Sequence, residues 1–341
     1  MVRIAVPVSH PEEVEMLAEN GAGEFYCGFV PPEWLDRYGG AFWLNRRGPV
    51  SGNLLSRDDV ALLAERARAR SIPVSVTFNA PYYTREQQEF LLPLIGRIAG
   101  EAGIDGVIVS DVGFLVEVRR AFPELAVHAS SVMAALNPGV IEFLAELGAR
   151  RVIFPRSLGV GEIAALCGAA AGRLETEAFI LNEGCVFEEG YCMTTHRSVG
   201  ALCVQLPAVP HRILPMDAEA AASLAGEDRD RARELMEEFR DWVWFQNGCG
   251  NSVTSGGIPN GPCGLCALPD LVRAGVTSLK ISGRGASSFR KLVSLQMVRA
   301  VLDVVERGGG REEAERRAMA LRNTPEFCEA RYMCYYREVA S

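Results

Sequence analysis

Long apolar runs are missing from this 341-residue chain. Stretches such as Val107-Ile108-Val109 are far too short to span a bilayer, so no membrane partner is expected. Residues 1–30 lack the sequence of basic segment, long apolar stretch and small-residue cleavage site that marks a secreted chain, and cytoplasmic location is the expectation. Positive charge is not in excess: 35 Lys and Arg face 43 Asp and Glu, a net charge of −8. That balance argues against a strongly basic nucleic-acid surface and leans towards a small-molecule substrate, although it leaves RNA open. There is no Gly-x-Ser-x-Gly and no His-Glu-x-x-His, which removes support for serine-hydrolase and zincin chemistry. The glycine-rich stretch at 161–172 has no Lys-Ser/Thr and is not a phosphate loop. Tandem repeats and low-complexity segments are also absent.

Cysteine, in contrast, is plentiful at ten. Disulfides are disfavoured in a reducing compartment, so clustered cysteines there point to metal or redox chemistry. Cys27 and Cys167 stand alone among apolar neighbours and read as small buried hydrophobes. The other eight follow position 184. Cys185 and Cys192 are separated by six residues and Cys203 follows after ten more; Cys249 lies in Gly-Cys-Gly, and Cys263 and Cys266 form a Cys-x-x-Cys. Gly184, Gly190, Gly200, Gly248, Gly250, Gly261 and Gly264 flank them, which lets the backbone turn tightly and aim amides at sulfur. Iron–sulfur ligation is the first reading and zinc the rival, because Cys-x-x-Cys is also a zinc half-site. Plain buried thiols are the third. Cys328 and Cys334 could complete a second four-thiolate site with the Cys-x-x-Cys pair, or simply pack against Tyr332, Tyr335 and Tyr336.

The first half alternates strand and helix. Strands are predicted over Arg3–Val6, Glu24–Cys27, Ile72–Phe78, Gly106–Ser110, Ala126–Ala129, Arg151–Pro155 and Glu175–Leu181, with an eighth at Ser278–Ile281. Helices are predicted between them, including Pro11–Asn20, Arg57–Arg70, Arg85–Ala102, Phe114–Ala121, Pro138–Leu147, Gly161–Leu166 and Phe289–Val305. Repeated strand–helix units imply parallel strands with crossover helices, and eight of them imply an α/β fold of the (β/α) TIM-barrel type. Residues 182–270 break the alternation and read as a cysteine-rich insertion over the barrel mouth, with one helix from Asp228 to about Phe245. The barrel domain then covers 1–306, and 307–341 form a helical tail.

In such barrels functional groups sit at the C-terminal ends of strands. Asn79, Asp111, His128, Arg156 and Cys185 all fall at or just after predicted strand ends. Asn79, Asp111 and His128 are candidates for orienting substrate or moving protons. Arg156, Lys280 and Arg284 are candidates for gripping carboxylates of a substrate or donor, since guanidinium pairs with carboxylate bidentately. His196, between two cluster candidates, reads as a loop histidine, and His10 and His211 carry no signal.

The chain resembles the peptidase U32 family. The resemblance runs from about Arg3 to Ala300 and rests on ordered motifs: VPVSHPEEVEMLAENGAGEFYCG, VSVTFN, GIDGVIVSDVGFL, ELAVHASSVMAALNPGVIEFLAELGARRVIFPRSLGVGEI, GCVFEEGYC, CVQ and LPDLVRAGVTSLKISGR. The family includes proteins that hydroxylate ubiquinone precursors, transfer RNA or ribosomal RNA without oxygen. The resemblance implies a [4Fe–4S] cluster on Cys185, Cys192, Cys203 and Cys249, with Cys263 or Cys266 as alternates for the fourth ligand. It also implies prephenate as oxygen donor and a homologous U32-type subunit or a homodimer as partner. The resulting expectation is an oxygen-independent hydroxylase of a small aromatic or isoprenoid-linked metabolite. RNA hydroxylation, peptidase activity and a non-catalytic partner role are the alternatives. Three positions depart from the family pattern: Ser157 and Ser282 stand where Glu is common, and Leu181 where His is usual. These departures imply a different substrate or altered proton handling.

Overall fold

The computed structural model describes residues 2–39, 42–48, 52–185, 189–192, 234, 237–238, 262–331 and 333–339. Eight parallel strands close into a barrel in sequence order. They are β1 (Arg3–Val8), β2 (Glu24–Gly28), β3 (Val74–Phe78), β4 (Gly106–Val109), β5 (Ala126–Ala129), β6 (Arg151–Ile153), β7 (Glu175–Leu181) and β8 (Ser278–Ile281). All eight predicted strands form. Closure is made by β8, which pairs with β1 at Ile4↔Leu279 and with β7 at Ala178↔Leu279.

Alternation along each strand sorts the side chains. Ile4, Phe25, Val76, Val107, Val127, Val152, Ile180 and Leu279 belong to the large core between sheet and helices, whereas Ala5, Tyr26, Ile108, Ile153 and Phe179 fill the barrel lumen. A period of two forces this division, because neighbouring residues point to opposite faces.

The helices outside are α1 (Glu13–Glu19), α2 (Pro32–Tyr38), α3 (Arg57–Ala69), α4 (Arg85–Arg97), α5 (Val112–Ala121), α6 (Pro138–Glu146) and α7 (Val160–Ala170). After the insertion come α8 (Leu268–Ala274), α9 (Ser288–Glu306), α10 (Arg311–Arg322) and α11 (Pro325–Ala330). Caps fix several starts: Ser56, Asp111, Asn137 and Ser287 accept from their first-turn amides, and Thr84 with Gln87 makes a reciprocal capping box. The helix predicted over 85–102 changes character after Arg97. A π-helical turn at Ile98–Ala102 ends at Gly103, whose φ of 70° suits glycine.

The predicted helix from Asp228 to about Phe245 lies almost wholly outside the described residues, as do Cys203, Cys249, His196 and His211. The chain is back against the barrel wall by Pro262. Its carbonyl accepts from the Asn182 amide at 2.9 Å, and the Gly264 amide donates to the Ile180 carbonyl at 2.8 Å. No helix among the described residues is long and apolar enough to cross a membrane.

Candidate active site

The barrel lumen is unusual in its lower half, at the N-terminal ends of the strands. Barrel interiors are ordinarily filled by branched apolar side chains. Here Arg151 of β6 donates to both oxygens of Glu24 at 2.8 Å, to Glu177 at 2.7 Å and to Glu175 at 2.7 Å. Arg3 adds a bond to Glu175 at 2.6 Å, and Lys280 of β8 donates to Glu177 at 2.5 Å while its ammonium sits 3.8 Å from the Tyr26 ring centre. Three cations thus meet three carboxylates inside the barrel, and the exposed Arg150 reaches Glu175 from outside at 3.4 Å. Burial pushes Glu177 up, but Lys280 and Arg151 outweigh it and hold this carboxyl at about 2.

His128 of β5 lies in the same lumen. Burial, reinforced by the charge on Arg151, lowers its imidazole to about 3, so it is neutral at ordinary pH. The structure therefore places Lys280 and His128 with the lower network, away from the two arginines expected to act with Lys280. The signal for this network was present in the sequence as charged residues in phase with lumen-facing aromatics two positions on, as in Glu24-Tyr26 and Glu175-Glu177-Phe179.

The mouth is built by loops at the other end of the strands. Arg284, three residues beyond β8, turns inward and is 5% exposed. Its guanidinium donates to Thr77 at 2.8 Å, Asn45 at 2.9 Å and Asn53 at 3.2 Å, all neutral acceptors. Burial and then Arg47 lower its pKa to about 10. Gly28, the last residue of β2, is required here, since a Cβ would overlap the Arg284 guanidinium and Asn53 Oδ1.

Arg156 follows β6 and stacks on Phe179, its guanidinium carbon 3.5 Å from the ring centre. It forms an ion pair with Glu189 and donates to Ser282 Oγ at 3.0 Å; its backbone amide donates to Glu189 at 2.9 Å. Glu189 also takes Arg46 at 2.6 Å and the Ser131 hydroxyl at 2.9 Å. Burial raises its pKa, but Arg156 and Arg46 outweigh that and set it at about 2. Glu189 lies between Cys185 and Cys192, so this carboxylate ties the cysteine-bearing segment onto the mouth. Nothing in the sequence alone singled it out, because its partners come from separate loops.

Arg47 pairs with Glu183, and Arg290 in the first turn of α9 lies within electrostatic reach of both. Arg290 is 4% exposed, and its Nε and Nη2 have no hydrogen-bond partner among the described residues. Together Arg46, Arg47, Arg156, Arg284 and Arg290 outnumber Glu183 and Glu189. Among the described residues, and with Asp111 on the rim counted too, arginine is in excess at the mouth of this acidic protein. Ser282 contributes to this: a carboxylate there would neutralise Arg156, whereas the hydroxyl only accepts a bond.

Asn79 and Asp111 stand on the rim. Asn79 Oδ1 accepts from the Arg46 amide at 3.3 Å, positioning the arginine loop. Asp111 caps α5 through Phe114 at 2.9 Å and accepts from the Tyr83 amide at 2.7 Å. Both of its oxygens thereby hold backbone.

Of the four cysteines expected to hold a cluster, Cys185 and Cys192 are described. Cys192 is buried and Cys185 half-buried, and both act electrostatically on Arg46. These two thiols could supply the first half of a thiolate ligand set, with the Arg46 guanidinium beside them to balance its charge. Cys203 and Cys249 would supply the other half from outside the described residues.

A model of peptidase family U32 matches residues 9–340. Two curated relatives are similar in sequence. One is tRNA hydroxylation protein P of Escherichia coli (strain K12), 28% identical over 144 residues, which is 42% of this chain and 31% of that protein. The other is tRNA hydroxylation protein P2 of Bacillus subtilis (strain 168), 25% identical over 231 residues, 67% of each. The chain thus spans about a third of the first relative's length and two thirds of the second's. Among solved structures, the U32 peptidase Mk0906 aligns with 64% of this chain and 84% of its own, at 16% identity and a TM-score of 0.44.

Proposed function

We propose, from the premise that the chain belongs to peptidase family U32, that it is an oxygen-independent hydroxylase of transfer RNA. The observation that carries this is that both relatives described above are named for tRNA hydroxylation. Net acidity suggested a small metabolite, but the relatives favour RNA, and the excess of arginine at the mouth offers anion-binding chemistry that net charge conceals.

Cys185 and Cys192, with Cys203 and Cys249, would hold an iron–sulfur cluster. When bound, such a cluster supplies one-electron chemistry, or an iron site for an oxygen-bearing ligand. Arg284 and Arg290 would grip the carboxylates of a prephenate-type donor. Arg284 suits this because, among the described residues, its hydrogen-bond partners are neutral and a carboxylate would be a better partner. Arg156 keeps Glu189, and with it the cysteine segment, in place over the lumen. Asn79 holds the Arg46 loop against the rim.

The test is nucleoside mass spectrometry of tRNA from cells lacking the chain. Loss of a hydroxylated nucleoside, restored by the intact chain and not by Cys185→Ser, supports the reading. An unchanged nucleoside profile contradicts it.

A further inference from the structure

Cys263, Cys266, Cys328 and Cys334 come from two distant parts of the chain and meet on the outer wall of the barrel. The Cys263 amide donates to the Met333 carbonyl at 2.7 Å, and the Tyr335 amide donates back to the Cys263 carbonyl at 2.9 Å. This short parallel bridge lays Cys334 beside Cys263. Cys266 follows in the 3-10 turn Leu265–Ala267, and Cys328 is carried in by α11. Gly264 allows the turn to close, because a Cβ there would press on the Tyr336 ring at 2.9 Å.

All four cysteines line one cavity of about 310 Å³. Each thiol lies within electrostatic reach of the other three. Neither Cys185 nor Cys192 borders this cavity. Arg322, 2% exposed, is in its wall, with apolar groups such as Met319 and Phe327.

We propose that these four cysteines form a second metal site that holds an iron–sulfur cluster, separate from the thiols at the barrel mouth. The ligand set is wholly sulfur, which selects iron–sulfur or zinc. A zinc ion about 2.3 Å from each sulfur would need the thiols within about 4 Å of one another. Among the described residues no three thiol, imidazole or carboxylate groups are close enough to share one ion. A polynuclear cluster is larger and suits thiols spread around a cavity. The Arg322 guanidinium offsets part of the negative charge that four thiolates bring to an enclosed site.

Such a cluster would pin the C-terminal tail to the barrel. It would also connect the tail to the mouth, since Tyr335, next to Cys334, donates its hydroxyl to the Asn182 and Glu183 carbonyls.

The experiment measures iron, acid-labile sulfide and zinc in the full chain purified without oxygen. In a Cys185→Ser/Cys192→Ser chain, about four irons and about four sulfides per chain should remain. Adding Cys263→Ser/Cys266→Ser or Cys328→Ser/Cys334→Ser should remove them. If the mouth carries no cluster, the first pair of substitutions changes nothing, and the later pairs still remove the iron. Native mass spectrometry of the unsubstituted chain avoids dependence on the folding of variants: two cluster masses on one chain support the site, and a chain carrying no cluster mass overturns it. Zinc in place of iron, disulfides among the four cysteines, or iron indifferent to all four would overturn it.

Discussion

Among the described residues Arg284 is hydrogen-bonded to Asn45, Asn53 and Thr77 and to no carboxylate, so a donor carboxylate would complete its charge pairing. Arg284→Ala is expected to weaken binding of a dicarboxylate such as prephenate by about 1.5–3 kcal/mol, roughly ten- to a hundred-fold, with partial rescue by Lys. Titration calorimetry checks this, and unchanged affinity would remove Arg284 from the clamp. Gly28→Ala should lower affinity in the same direction without touching a charge, because the new Cβ displaces the guanidinium. His128 behaves differently. Burial and Arg151 lower its pKa to about 3, below its ordinary unfolded value near 6.5. The unfolded chain therefore binds more protons between these values, and this residue's contribution to stability is full above pH 6.5 and lost as pH falls towards 3. The His128 imidazole resonances of the folded chain, assigned by their loss in His128→Gln, should stay in the neutral position at pH 5. A midpoint near 6.5 would contradict the burial argument.

At the scale of elements, β2, β6, β7 and β8 are joined inside the barrel by charge where most barrels use hydrocarbon. Arg151 is the centre of that layer and is 3% exposed. Arg151→Met would leave Glu24 and Glu175 without their main counter-charge and Glu177 with Lys280 alone. The expected loss is about 3–5 kcal/mol, the usual cost of breaking a buried ion pair from one side. Calorimetric melting would show it as a markedly lower Tm, while an unchanged Tm would mean that the carboxylates take up protons at little cost. The strands themselves were legible in the sequence, because runs such as Val74–Phe78 and Glu175–Leu181 combine branched residues with short, turn-bounded length. Helix boundaries were legible where a cap exists, as at Ser56 and Thr84. Helices α2 and α8, each of seven residues with proline in the first turn, were missed, whereas α1, of the same length, was read from the apolar face of Val14, Leu17 and Ala18.

For the whole molecule, order along the chain was enough to read a closed eight-stranded barrel, since each strand pairs with its sequence neighbour. The site was less legible. The positions of Asn79, Arg156 and Arg284 at strand ends follow from local pattern, yet what each touches does not. Arg156 meets Glu189 across 33 residues, and Arg284 meets Asn45 across 239. Lys280 was placed with Arg156 and Arg284 from proximity in sequence. Strand alternation instead turns it into the lumen, where Glu177 takes it. Net charge misled for a related reason: a sum over 341 residues hides five arginines folded into one opening. Under the proposed function this opening delivers oxygen to RNA from an organic donor. The most direct measurement is transfer of heavy oxygen from labelled prephenate to tRNA by the iron-loaded chain in the absence of O2, read by nucleoside mass spectrometry. Label is expected in a hydroxylated nucleoside, and none with Cys185→Ser. An unlabelled tRNA, or hydroxylation that appears only when O2 is admitted, would contradict it.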